Sequence, residues 1–178
     1  MKARSFILTI FLSICFSTTA QVDDFQQRII ECLQLNGTTT VYEQEYDNTL
    51  HLLYKQFKTA NAPESFWEEL RSDRSEKVNE VIPLLAFAYR KHFSKDDIDK
   101  MLEFYNTETA QIWIESPSQL TEEQQSKVDA FLESYIGLRL AKKKKSLKKD
   151  MDEIASHWKR ELFAEKMSSL IKNDYYPE

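Results

Sequence analysis

The chain has 178 residues, of which 42% are hydrophobic and 30% charged, and its formal net charge is −5. That length and apolar content support one domain with a real core, and the acidic balance argues against general nucleic-acid binding. With only two glycines, no Gly-rich phosphate loop or dinucleotide fingerprint can be written, and tight hairpins are disfavoured.

Met1–Ala20 reads as a secretory signal peptide. Lys2 and Arg4 form a basic start, Phe6 to Phe16 an apolar run, and Thr18 and Ala20 place small residues before a cut ahead of Gln21. The apolar run falls well short of the roughly 20 residues that span a bilayer. Cys15 raises lipid modification, but the residue before it is Ile14, large and branched where a small one is usual. Cleavage after Ala20 is therefore expected, with the product secreted or periplasmic. The mature chain, 21–178, loses two cations, so its formal charge falls from −5 to −7. No later apolar run is long enough for a transmembrane segment. Cys32 is the lone mature cysteine, which excludes an intramolecular disulfide. It reads as a small buried hydrophobe on an amphipathic helix, the alternative being a thiol that joins two molecules.

Asp23 opens a first helix in which Phe25, Ile29, Ile30 and Leu33 line one side, and Gly37 closes it. Asn36-Gly37-Thr38 spells a glycosylation sequon and is read as a helix stop and turn. Thr38, Thr39 and Thr40 offer an N-cap for a second helix, whose apolar side runs through Val41, Tyr46, Leu50, Leu53, Tyr54 and Phe57 to about Thr59. After a break at Asn61-Ala62-Pro63, Pro63 takes the first position of a short helix with Phe66, Trp67 and Leu70. Ser75 caps the next, which carries Val78, Val81, Ile82, Leu85, Ala86 and Tyr89 and is expected to kink at Pro83.

The segment from Tyr89 to Trp113 organises the chain. Ser94 and Asp97 have the spacing of a capping box. Asp96, Asp97 and Asp99 place negative charge in a first turn, where the helix dipole favours it. Phe93 can staple onto Ile98. Ile98, Met101, Leu102, Tyr105, Ile112 and Trp113 follow at helical spacing, interrupted by a turn at Glu108–Thr109, and the helix is expected to stop near Glu115 because of Pro117. This stretch resembles the bacterial family called Domain of Unknown Function 2059. The resemblance rests on Phe93, Ser94, Asp97, Ile98, Phe104, Tyr105 and Thr107, within a family-like region of about 78–135. Ala110 stands where the family has Gly, and Ile112 where it has a basic residue. The resemblance implies a small, secreted, helical protein without an assigned reaction, and it carries over no catalytic residue.

Beyond Pro117, Thr121 and Gln124 form a second box-like start, followed by Val128, Phe131, Leu132, Tyr135 and Ile136. Gly137 then marks a bend or a close helix crossing. Leu147, Met151, Ile154, Trp158, Leu162, Met167 and Ile171 carry the last stripe almost to the end, before a tail at Tyr175-Tyr176-Pro177. No stretch sustains strand-like alternation. The expected fold is all-α, a single domain packed as an irregular bundle of about six helices.

The chemistry is mostly a set of exclusions. Cys32 has no cysteine or histidine at zinc spacing, and His51, His92 and His157 do not form an HExxH motif. No cofactor or metal site and no catalytic residue is assigned. The acidic pairs Glu68-Glu69, Asp96-Asp97 and Glu122-Glu123 sit near helix starts, where dipole and capping terms account for them. The strongest charge feature is Lys142, Lys143, Lys144 and Lys145 with Lys148 and Lys149. Consecutive lysines go around a helix rather than along one face. They read either as a solvated stretch or as a contact for an envelope protein or an anionic membrane surface. The sequence thus points to a non-enzymatic interaction or accessory protein of the bacterial envelope. The alternatives are a carrier holding an apolar ligand between aromatic-rich helices, and an unrecognised hydrolase.

Overall fold

The computed structural model describes residues 23–177; the expected leader and its cleavage point lie outside them. The described residues form an all-α bundle with eight α-helices and no strand. In chain order these are α1 (Asp24–Leu35), α2 (Thr38–Gln56), α3 (Glu64–Arg71), α4 (Arg74–His92), α5 (Lys95–Tyr105), α6 (Glu108–Glu115), α7 (Glu122–Glu133) and α8 (Tyr135–Lys172). Short 3-10 turns at Lys58–Ala60 and Pro117–Gln119 join α2 to α3 and α6 to α7. Helix α8, at 38 residues, is about 57 Å long. It lies against α2 and α4 and reaches α5 and α7, while α1 fills the space between α4 and α5.

One buried cluster runs through these helices. Ile29 and Leu33 of α1, Tyr46 and Leu53 of α2, Val81 and Leu85 of α4, Ile98 and Met101 of α5, and Leu162 and Leu170 of α8 all belong to it. Most are the stripe positions read from the sequence. Cys32 is fully buried among them and is a free thiol.

The count of helices is eight rather than six because hydroxyl caps cut two expected helices in half. Thr107 accepts a hydrogen bond from the Ala110 N–H at 3.2 Å, so α5 ends and α6 begins there, just ahead of the expected turn. Ser134 accepts from the Gly137 N–H at 3.2 Å and starts α8, three residues before the glycine thought to mark the bend. Gly137 does sit at a close approach, however. A Cβ there would lie 2.3 Å from the Phe131 carbonyl oxygen and 2.4 Å from that of Leu132.

Several starts differ by a residue or two. Gly37, at φ +83°, precedes α2 directly, and the threonines lie inside the helix. Thr38 instead donates to the Asn36 side chain. Pro63 is the residue before α3, not its first. Helix α4 begins at Arg74 after Asp73, so Ser75 is within its first turn. The Asp73 carboxylate is engaged elsewhere, with Tyr46 and Lys166. Helix α4 continues through Pro83, whose carbonyl accepts from Gln26 Nε2 of α1 at 2.9 Å.

The two expected boxes at Ser94/Asp97 and Thr121/Gln124 are both formed. At the far end, Asp174 takes a left-handed conformation (φ 63°). The Tyr175 N–H returns to the Leu170 carbonyl and the Asp174 N–H to that of Ile171. This C-terminal cap turns Tyr175 onto Phe66, with ring centroids 5.2 Å apart.

Candidate functional site

The aromatic residues at the end of α5 and the lysines of α8 meet at one groove. Phe104 stacks on Phe131 of α7 at 3.8 Å with an interplanar angle of 4°, and Trp113 of α6 meets Phe104 edge-on at 5.9 Å. Tyr105 and Trp113 form one wall, Val41 and Tyr42 of α2 another, and Leu140, Leu147 and Met151 of α8 lie along the floor. The groove, called A here, has a volume of about 570 Å³. Gly137 is part of its lining, so the close α7–α8 approach also shapes the groove. Burial pushes the Tyr105 phenol upward and that of Tyr42 up to about 12, so both stay neutral at ordinary pH.

Lys144 and Lys148 stand on the rim of this groove, with Asp152 beside them. Lys148 is held by Asp152 at 2.5 Å. Among the described residues, Lys142, Lys143, Lys144 and Lys145 make no ion pair. The helical period separates the six: Lys144 and Lys148 share the groove side, while Lys142, Lys145 and Lys149 share an adjacent side. Those three are exposed and Lys143 is half-buried. The groove is bordered by apolar side chains that remain in water, Val41 (57% exposed) and Leu132 (44%).

The other residues singled out in the sequence hold helices together. Phe93 and Ile98 are buried, as a staple requires. Asp97 is 2% exposed; its Oδ2 accepts from the Ser94 N–H and Oγ, both at 2.8 Å. It also lies 3.0 Å from Arg139 Nε of α8, an electrostatic contact in which the N–H does not point at the oxygen. The acid read as a capping residue therefore also ties α5 to α8. Nothing at Arg139 could have signalled this, because the pair is distant in sequence. Ala110 is fully buried, which explains a small residue there.

His92, in the last turn of α4, has Nε2 2.6 Å from Asp150 Oδ2, which Lys91 also reaches at 2.9 Å. Lys91 and His92 hold the Asp150 carboxyl below the usual carboxylate range. His157 pairs with Glu161 at 3.2 Å, and His51 lies exposed on α2. A second buried tie joins Tyr46, Asp73 and Lys166. Burial raises the Asp73 carboxyl, but hydrogen bonds from Lys166 and Tyr46 bring it below its ordinary value. Among the described residues, no group of three or more His, Cys, Asp or Glu is placed to hold a metal ion. No described helix is long and apolar enough to cross a membrane.

Residues 79–128 match the model of a bacterial family. Its description is "Uncharacterized protein conserved in bacteria (DUF2059)". The resemblance read from Phe93 to Thr107 is thus shown, over a stretch running from the first third of α4 into α7. No curated protein and no solved structure matches the chain.

Proposed function

We propose that this chain is a non-enzymatic accessory protein of the bacterial envelope that docks on anionic lipid through groove A. The apolar groove takes an acyl segment, and Lys144 and Lys148 take the headgroup. The observation that carries this reading is that these two lysines stand on the rim of an open apolar groove. An apolar floor with a cationic edge is the chemistry that an anionic amphiphile needs. The leader-like start of the sequence supports an envelope setting, and the family resemblance a bacterial one. The non-enzymatic part rests on the role of the ionisable groups. His92, Asp150, Tyr46, Asp73 and Lys166 are engaged with one another as ties between helices.

Each lysine near an anionic surface contributes about 1 kcal/mol. Removing both rim charges should therefore weaken binding about 30-fold at low salt. The test is co-sedimentation of the chain from Gln21 onward with phosphatidylglycerol-containing or purely phosphatidylcholine vesicles. Expected are preference for the anionic vesicles, loss of binding as salt rises, and the stated weakening in Lys144→Gln/Lys148→Gln. Equal binding to neutral vesicles, or no effect of the double variant, refutes the reading. The groove's size and aromatic wall favour a second reading, a carrier of a single apolar ligand. It predicts a lipid retained through purification and seen by native mass spectrometry.

A further inference from the structure

A second groove, B, runs between α4 and α8 and also has a volume of about 570 Å³. The two helices are antiparallel here. Lys77 meets Glu165 at one end, at 2.9 Å, and Lys91 meets Asp150 at the other, at 2.9 Å. Along α4, Leu84 and Phe87 are 47% and 59% exposed, although they lie on a helix whose other side is buried in the core. Across from them lie Ile154 and Trp158 of α8. The Trp158 indole is fixed by donation to the Lys77 carbonyl at 3.2 Å, so the floor is held in place.

The edge of groove B has the opposite charge to that of groove A. Glu80, Asp150, Glu153 and Glu161 surround it, against the single cation Lys91 and the titratable His157. Glu80 and Glu161 have partial partners in Lys77 and His157, and Glu153 has none among the described residues. An apolar trough about three helical turns long, with an acidic margin, fits the helix-in-groove mode of recognition. Two copies meeting through this face would bring acidic margins together, which charge repulsion disfavours.

We propose that groove B is the docking site for a basic amphipathic α-helix of a partner protein. Its apolar side covers Leu84 and Phe87 against Ile154 and Trp158, and its lysines or arginines meet Glu80, Glu153 and Glu161. This site is independent of groove A. The groove A lining on α8 extends from Gly137 to Asp152, and the groove B lining from Asp150 to Glu161 on another side of the helix.

The test uses the chain from Gln21 onward and fluorescein-labelled 18-residue helical peptides of leucine with lysine, or of leucine with glutamate, read by fluorescence anisotropy. The lysine peptide should bind at least tenfold more tightly than the glutamate peptide. Phe87→Ser should weaken it tenfold or more, as should Glu153→Lys/Glu161→Lys. Lys144→Gln/Lys148→Gln should leave it unchanged. Phe87, Glu153 and Glu161 are on the surface, and circular dichroism checks that these variants fold. No binding of the lysine peptide overturns the proposal, as does equal binding of the two peptides or indifference to Phe87→Ser. Sedimentation showing dimers that Phe87→Ser abolishes would also overturn it, since the occupant would then be a second copy.

Discussion

Gly137→Ala is the substitution in which two ordinary expectations collide. Glycine inside a helix costs about 1 kcal/mol relative to alanine, so on α8 alone the change should stabilise. The structure reverses that sign. The added Cβ would lie 2.3 Å from the Phe131 oxygen, 2.4 Å from the Leu132 oxygen and 2.7 Å from the Leu132 carbonyl carbon, all closer than the 3.0 Å that real Cβ atoms respect. These are backbone atoms in the last turn of α7, so no side chain can swing aside. Relief requires the α7–α8 junction to open by more than half an ångström, against the stacked Phe104–Phe131 pair. Overpacking of this kind costs about 1–3 kcal/mol, occasionally more. With two backbone contacts below 2.5 Å the upper part of that range applies, about 2–3 kcal/mol, and set against the helix gain of about 1 kcal/mol the net loss is about 1–2 kcal/mol. At this chain length that lowers Tm by roughly 2–8 °C. Thermal unfolding followed at 222 nm measures it. A variant melting at or above the parent would refute the account of why a glycine sits there.

Two further predictions rest on single buried groups. Asp97→Ala removes the acceptor for Ser94 and the partner of Arg139 together. It should cost about 2–3 kcal/mol, seen as a lower urea midpoint, whereas Asp97→Asn, which keeps an acceptor, should cost less. An unchanged midpoint in the alanine variant would remove the claimed α5–α8 tie. For Cys32, burial pushes the thiol up to about 12, so at pH 8 the thiolate fraction is about one in ten thousand. In the native chain lacking Cys15, a disulfide reagent should leave Cys32 unmodified for hours yet titrate one thiol within minutes in guanidinium. Full reaction in buffer would contradict its burial.

The all-α class and most of the core were legible because helical periodicity reports burial directly. Ile29, Leu53, Leu85 and Ile98 sit where their spacing put them. Local caps such as Ser94–Asp97 were equally legible, since both partners lie within one turn. The breaks at Thr107 and Ser134 were harder. A hydroxyl residue amid a continuous apolar stripe is compatible with helix interior or cap, and only the packing of α6 on α7 and of α7 on α8 decides. The candidate site was legible only in pieces. The lysines and the aromatics were each visible, but their meeting at groove A depends on α8 passing both α2 and α7, which no local pattern encodes. Groove B left a fainter sign: Leu84 and Phe87 are apolar yet fall outside the α4 stripe of Val78, Val81, Ile82, Leu85, Ala86 and Tyr89, on the side of the helix that faces solvent.

The division of labour along the chain bears on what such a protein can vary. The stretch resembling the family, 79–128, supplies apolar walls to both grooves: Leu84 and Phe87 to one, Tyr105 and Trp113 to the other. Helix α8, outside that stretch, supplies most of the charge, with lysines beside groove A and carboxylates beside groove B. Apolar walls give burial without much selectivity, whereas charge selects among partners and fixes their orientation. Exposed charges on α8 can change sign at little cost to a core built from Leu162, Leu170 and the helices beneath. On the two proposals above, the stretch that matches the family model is thus the part that meets an apolar partner. On the same proposals α8 selects the partner, so substitutions of its exposed charges should alter binding most and folding least.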